Sequence, residues 1–402
     1  MKIEQRALNI ADLRQLAKGR LPRGFFEYID RGSEDDDAIV SNRAAYGKYK
    51  LRPRVLKNVS TRSMGSELFG KPLAMPMVVA PTGAAGLMWH QGELALAKAA
   101  ASAGIPFTLS TASLTSLERI AAQAPGRLWF QLYMWPDKSM SHQLVKRAQD
   151  AGFEALVVTV DTVVAPNREC NTRNGFTLPF SVNRRNALDL ALHSRWLITV
   201  VLRYMLTGGL PRLENFPREL ERSLTGGSAS GSALPKNDSL SWDDFRDLRK
   251  IWQGPLMVKG ILHPKDALAA AEHGADGIIV SNHGGRNLDS SIAPLLALPD
   301  IVDCVGSRLQ VLMDGGIMRG SDLVKALALG ARAVMVGRAP LWGVAAAGQA
   351  GAAHALSILA REALRVMGQC GCSTVAELDH EILWCESQAL VPDRRARSIS
   401  LQ

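Results

Sequence analysis

Eight short apolar runs, each handing over to a polar or Gly-rich turn and then to a helical pattern, constrain this 402-residue chain more than any other feature. They are MPMVVA (75–80), IPFTLS (105–110), LWFQLY (128–133), ALVVTV (155–160), PLMVKG (255–260), GIIVSN (277–282), QVLMDG (310–315) and AVMVGR (333–338). Helical patterns fill the gaps at 91–104, 114–124, 137–151, 241–252, 264–273, 320–330 and 340–368, with 292–304 as a further candidate. Continuous apolar strands alternating with helices indicate a parallel sheet covered on both faces. Eight such units predict a closed (β/α)8 TIM barrel. An open doubly wound sheet usually has fewer strands and an early Gly-rich dinucleotide fingerprint, which this chain lacks.

Three stretches lie outside that rhythm. Residues 1–75 form an N-terminal helical extension, in which Asn9 can cap a helix with Ile10, Leu13 and Leu16 on one face and FFEYID forms a second helix. Residues 76–385 form the barrel, interrupted after strand four by an insertion over 175–240 that is far longer than an ordinary βα loop. The first half of the insertion carries the apolar RWLITVVLRYML (195–206), and the second half, SLTGGSASGSALPKNDS, is Gly/Ser-rich and expected to be mobile. Residues 386–402 form a C-terminal tail.

Composition narrows the class. With 47% hydrophobic and 21% charged residues the chain can bury a large core. A net charge of +9 would suit an anionic partner, but there is no block of Lys/Arg and no nucleic-acid module, so nucleic acid is not expected. The five cysteines form no disulfide framework, and Cys370-Gly-Cys372 lacks a second pair for zinc, so reduced thiols, no metal and a cytoplasmic location are expected. The N-terminus has no signal-type apolar stretch, and no run of 18 apolar residues is present to span a bilayer.

Chemistry in such barrels collects at the C-terminal strand ends. Here those ends carry Pro81-Thr82-Gly83, Ser110, Gln131 with Tyr133, Thr159 with Asp161, Lys259, Ser281 with His283 and Arg286, Asp314-Gly315-Gly316, and Gly337-Arg338. The glycines after strands seven and eight, with Arg338, mark the usual place for a phosphate. His283 is suited to proton abstraction near neutral pH, and Asp161 could hold its tautomer. Arg168 and Arg286 could clamp a carboxylate in bidentate fashion. Lys259 could be a Schiff-base nucleophile or a fixed positive charge beside an anionic cofactor.

Taken in order, FFEYIDRGSEDD, APTG, LSTAS, FQLY, TVD with Arg168, LMVKG, SNHGGRNLD, MDGG, GSDLVKALALGA and VGR resemble the FMN-dependent L-2-hydroxy-acid dehydrogenase and oxidase family, over about residues 8–385. That family includes glycolate oxidase, L-lactate dehydrogenases and (S)-mandelate dehydrogenase. The resemblance implies that Pro81, Thr82 and Gly83 contact the FMN ring, that Ser110, Gln131 and Thr159 hydrogen-bond the ring or ribityl chain, and that Lys259 stabilises charge on the reduced ring. It gives the ribityl and phosphate to Ser281, Asp314, Gly315, Gly316, Gly337 and Arg338. It gives the substrate to Tyr28, Tyr133, Arg168 and Arg286, and proton abstraction to His283 backed by Asp161, with hydride and carbanion routes both open. Met318 stands where relatives carry a phosphate-facing arginine, leaving Arg338, the glycine N–H groups and Arg319 for that task.

Ala112 stands where glycolate oxidase has a bulky aromatic, which implies a roomier pocket. Gly83 stands where oxidases carry alanine, which resembles the dehydrogenases that pass electrons to a quinone or another acceptor. LMWHQGELALA and the insertion most resemble the membrane-associated mandelate branch. Between residues 181 and 212 the insertion has five arginines (Arg184, Arg185, Arg195, Arg203 and Arg212) against Asp189, flanking an apolar run. This suits docking on an anionic membrane surface, here the inner face of the cell membrane. The resemblance also implies a homotetramer. The alternatives are an O2-using oxidase that makes H2O2, a Schiff-base lyase working through Lys259, and a silent binding barrel.

Overall fold

In the computed structural model, which describes residues 2–176, 182–184, 186–209, 211–216 and 237–385, the eight runs become eight parallel strands. These are β1 (Met77–Val79), β2 (Phe107–Ser110), β3 (Leu128–Leu132), β4 (Ala155–Thr159), β5 (Leu256–Ile261), β6 (Gly277–Val280), β7 (Gln310–Asp314) and β8 (Ala333–Val336). Each pairs with its neighbours in chain order, and β8 pairs with β1, so the sheet closes. The expected (β/α)8 barrel is therefore the fold. All eight helical stretches are helices, including Pro294–Val305.

Period-two alternation decides which side chains enter the barrel. Val79, Phe130, Val158, Val258, Ile278, Val311 and Val334 point outward and pack under the helices. Val78, Trp129, Val157, Met257, Ile279, Leu312 and Met335 point inward and form a separate apolar cluster. That cluster is closed at the N-terminal end of the barrel by Leu68, Phe69 and Leu73 from an antiparallel ribbon, Ser66–Leu68 with Lys71–Leu73. Each of these large side chains contributes about 1.5–3 kcal/mol on burial. The barrel floor is thus packed, and only the C-terminal ends of the strands are free for chemistry.

Asn9 caps Ile10–Arg20 by accepting from Asp12 N at 3.0 Å, as expected, and FFEYID lies in a helix, Arg23–Asp30. A third helix, Asp37–Lys48, was not expected. Its N-terminus is held from another part of the chain: the buried Asp289 carboxylate accepts from the N–H groups of Asp35, Asp37 and Ala38, each at 3.1 Å. The helix after β8, Arg338–Cys370, is apolar and long enough to cross a bilayer, but it leaves helical geometry at Ala347–Gly348 and packs inside the molecule against Ile10–Arg20, Gly92–Ser102 and Gly320–Ala328.

Within the insertion, helical turns cover Ala187–Leu192, Ser194–Trp196, Leu197–Leu202 and Arg203–Thr207. The apolar run 196–202 does not face outward as a whole. Trp196 (3% exposed) and Val200 (1%) turn inward, and Trp196 lies against Phe25 at 4.5 Å and donates to Leu87 O at 2.8 Å. The opposite side of the segment keeps Leu188, Leu192, Ile198, Leu202, Met205 and Leu206 exposed, with Leu192 at 73% and Leu206 at 77%. The run is anchor and outer face at once. Most of the Gly/Ser-rich stretch (223–236) and the tail (386–402) lie outside the described residues.

Candidate active site

The alternation that fills the floor also selects the polar residues above it. Two residues beyond Trp129 comes Gln131, and then Tyr133; Val157 is followed by Thr159 and Asp161; Met257 by Lys259; Ile279 by Ser281 and His283; Leu312 by Asp314; Met335 by Gly337. They surround a cavity of about 630 Å³ at the strand ends. Of the expected site residues, Tyr28, Pro81, Thr82, Gly83, Ser110, Tyr133, Thr159, Arg168, Lys259, His283, Arg286, Asp314, Gly315, Gly316, Gly337 and Arg338 line it. Asp161, Gln131 and Ser281 stand behind that lining. Asp161 holds His283, Gln131 accepts from Ser110 Oγ at 3.0 Å, and Ser281 Oγ accepts from Lys259 Nζ at 2.9 Å.

His283 is half-buried at the cavity and takes a left-handed backbone conformation, φ 58°, uncommon for a residue with a Cβ. Two left-handed glycines follow, and both are required. A Cβ on Gly284 would lie 2.9 Å from Arg338 Nη1, and one on Gly285 would lie 2.8 Å from Ile39 N. This turn carries the imidazole back across the barrel mouth. Its Nδ1 meets Asp161 Oδ1 at 2.9 Å, and Nε2 lies 3.4 Å from the Tyr133 hydroxyl. Burial pulls the imidazole below its ordinary pKa, outweighing the opposite pull of Asp161. Burial pushes Asp161 up, yet the charges of His283 and Lys259 hold it below the usual carboxylate range. The pair at neutral pH is thus a carboxylate and a neutral imidazole whose Nδ1–H donates to Asp161.

Lys259 is buried and lies 2.9 Å from Asp314 Oδ2. Burial lowers it, but Asp314 and Asp161 outweigh that and hold it above the ordinary lysine value. A Schiff-base nucleophile needs the reverse shift, so this lysine is built as a fixed charge.

Three guanidinium groups converge on the same wall. Arg286 donates to Tyr28 O at 2.7 Å and Arg31 O at 2.8 Å, Arg168 donates to Arg286 O at 3.2 Å, and Arg338 donates to Gly284 O at 2.7 Å and Ile29 O at 3.2 Å. Backbone carbonyls orient all three, and none has a carboxylate within ion-pair distance among the described residues. Burial first, then Arg168 and Arg338, pull Arg286 below the ordinary guanidinium value. Such a cluster is built for an anion from outside the chain.

Several buried polar atoms around the cavity lack a hydrogen-bond partner among the described residues: Gln131 Nε2, Thr159 Oγ1, Asp161 Oδ2, Asp314 Oδ1 and Arg338 Nη2. Native interiors rarely leave such groups unpaired. Their clustering, together with the left-handed Gly315-Gly316 turn, marks a polar ligand site. A Cβ at Gly316 would lie 2.5 Å from Asn42 O, so only glycine lets the backbone lie that close.

The helix Asp37–Lys48 supplies residues that the strand-end rule could not reach. Asn42 and Arg43 line the cavity, and Tyr46 donates to Gly315 O at 2.8 Å. Arg43 donates to Gly316 O at 2.9 Å and pairs with Asp322. Arg319, expected to help at the phosphate end, is turned away: it pairs with Glu362 at 2.9 Å. Met318 does line the cavity, and Arg43 is the cation beside it.

A family model described as FMN-dependent dehydrogenase matches residues 17–385. The chain belongs to that family. Among curated relatives, (S)-mandelate dehydrogenase of Pseudomonas putida is 40% identical over 381 residues, 95% of each chain, and L-lactate oxidase of Nostoc sp. is 42% identical over 380 residues, 94% of this chain and 98% of the relative. A crystal structure of monotopic membrane protein (S)-mandelate dehydrogenase matches with a TM-score of 0.87 and 39% identity, covering 94% of this chain and 100% of the other. FMN is thus the cofactor, and the cavity suits it. The unpaired amide, hydroxyl and carboxylate atoms match the donors and acceptors of a flavin ring and ribityl chain. The paired glycine turns beside Arg338 and Arg43 suit a single phosphate.

Proposed function

We propose that this enzyme oxidises a 2-hydroxy acid with a bulky apolar side chain to the 2-keto acid, with His283 as base. The observation that carries this reading is the His283–Asp161 pair beside the carboxylate-free arginine cluster, facing one cavity. Arg168 and Arg286 hold the substrate carboxylate. Tyr133, half-buried at the cavity and raised above its ordinary pKa chiefly by burial, stays protonated and donates to the substrate oxygen. Asp161 fixes the imidazole with Nε2 toward the cavity, and Nε2 removes a substrate proton. FMN, when bound, accepts the two electrons released as the carbinol becomes a ketone. Lys259 and Arg338 keep positive charge at the wall where the cofactor's anionic parts belong, and Thr82, Ser110, Gln131, Thr159, Ser281 and Asp314 supply its polar contacts.

Met134, Trp135, Val163, Phe216 and Leu240 make one side of the cavity apolar, and Ala112 leaves room beside them. Anaerobic bleaching against glycolate, L-lactate and (S)-mandelate tests this. (S)-Mandelate should reduce the enzyme with the largest kcat/KM; bleaching fastest with glycolate overturns the bulky-substrate reading, and bleaching with none of the three overturns the reaction.

The electrons pass to a quinone rather than to O2. Gly83 supports this, because the flavin-side strand end is bare there. A Cβ at Gly83 would lie 3.3 Å from Ala112 Cβ, tight but tolerable. Gly83→Ala should therefore fold, keep substrate reduction within a few-fold, and reoxidise faster in aerated buffer; an unchanged reoxidation rate removes Gly83 from the choice of acceptor.

The exposed apolar side of the insertion docks the enzyme, as a homotetramer, on the inner face of the cell membrane. The arginines of the segment lie at anionic headgroups. Leu188→Ser, Leu192→Ser and Leu206→Ser combined should move the enzyme from the membrane to the soluble fraction of a cell lysate while flavin bleaching persists. Retention on the membrane overturns docking through this face.

A further inference from the structure

A second cavity, about 270 Å³, opens between the helix Ile10–Arg20 and the insertion, away from the barrel mouth. Arg6, Gln15, Arg20, His193, Ser194 and Arg195 give it its polar lining, and among the described residues no carboxylate lines it. We propose that this cavity binds the phosphodiester headgroup of an anionic phospholipid; the proposal rests on the membrane-docking reading above.

The cavity is built rather than incidental. Arg20 is buried, which is costly for a charge without a counter-ion. The chain nevertheless fixes it in place: Nη1 donates to Met88 O and Ala345 O, each at 3.0 Å, Nη2 donates to Thr199 Oγ1 at 2.5 Å, and the guanidinium lies over Trp89 at 4.3 Å. Its Nε has no partner among the described residues. Burial, then the charge of Arg195, lowers Arg20 to about 10, so these two cations are close enough to repel. The nearby acid, Asp189, is engaged elsewhere: it accepts from Arg23 N at 2.6 Å and meets His193 Nδ1 at 3.2 Å. Neither Arg6 nor Arg195 has a carboxylate within ion-pair distance among the described residues. Three cations with no anion among them leave a place for one.

The rim decides which anion. Leu192 lines the cavity and is also part of the exposed apolar side formed with Leu188, Ile198 and Leu206. An occupant therefore meets charge inside and apolar surface at the edge, the order of a phosphate and its acyl chains. Free phosphate would use only the first of these.

The test is flotation of the purified holoenzyme with vesicles of phosphatidylcholine alone or mixed with phosphatidylglycerol, at low salt. The substitutions Arg6→Gln and Arg195→Gln together keep the buried Arg20 scaffold intact; Arg203→Gln with Arg212→Gln removes the same charge from the insertion outside the cavity. Wild type should prefer the anionic vesicles. The control pair should lose only the diffuse attraction, about 25-fold at about five-fold per arginine, and the cavity pair roughly ten-fold more than the control. Equal losses show diffuse attraction and overturn the headgroup site. Equal flotation on both vesicles leaves docking standing and also overturns the site. Flotation on neither removes the docking reading itself. If inorganic phosphate raises the Tm of wild type but not of the cavity pair, and no anionic preference exists, the occupant is free phosphate and the lipid assignment falls.

Discussion

His283→Gln is expected to bind FMN and substrate yet lose flavin reduction by about 10²–10⁴-fold, the usual contribution of a positioned general base. Glutamine can still reach Asp161 and approaches the volume of the ring, so the left-handed turn through Gly284 and Gly285 should survive. It cannot take up a proton. Stopped-flow bleaching under anaerobic conditions reads the step directly, and a rate within a few-fold of wild type removes His283 from the chemistry. The wild-type pH profile follows from the direction of the imidazole shift. The base works only when neutral, and burial pulls its pKa below the ordinary histidine value. kcat/KM should therefore be level at neutral pH and fall as pH drops through that lowered pKa, with no loss between pH 7 and the ordinary histidine range. Asp161→Asn should carry the fall with it, because the carboxylate is what opposes the pull of burial.

The barrel was legible because its signal is local and repeated. Each unit announces itself by a few apolar residues and a helix, and closure follows from their number. The polar lining of the barrel mouth was legible for the same reason. Strand parity forces Gln131, Thr159, Lys259, Ser281 and Asp314 to the inside, so their polarity could only serve the mouth. What escaped lies where the chain returns from far away. Asn42, Arg43 and Tyr46 sit on a helix whose capping carboxylate, Asp289, is about 250 residues distant, and nothing in residues 37–48 points to β7. Arg319 was misjudged because sequence position places it at the phosphate end, whereas its side chain pairs with Glu362 on the helix after β8. The insertion was half legible: its composition showed an apolar, basic segment, but which of its residues face the core depends on Phe25 and Leu87, and no local pattern encodes that partnership.

Arg286→Lys should be far from conservative. The guanidinium is held by two carbonyls on one edge, Tyr28 O and Arg31 O, which leaves the rest of its fork for the cavity. An ammonium has no fork, and it cannot satisfy both carbonyls and a carboxylate in the same geometry. Removing one partner of a hydrogen-bonded charge pair outright costs about 2–5 kcal/mol; lysine keeps the charge and loses the fork, so kcat/KM should fall by about thirty-fold, the lower end of that range. Part of the loss should appear in kcat, since a loosely held carboxylate lets the substrate carbon drift from His283 Nε2, and small misplacements slow reaction steeply. Lysine keeps the positive charge opposite Arg168 and Arg338, and its ammonium can still donate toward Tyr28 O or Arg31 O, so the resting protein should be nearly as stable as wild type. An unchanged Tm with a collapsed kcat/KM is thus the expected signature of a carboxylate clamp. A lowered Tm with KM and kcat intact would assign Arg286 to tying the N-terminal helices over the barrel mouth, and the carboxylate would then fall to Arg168 alone.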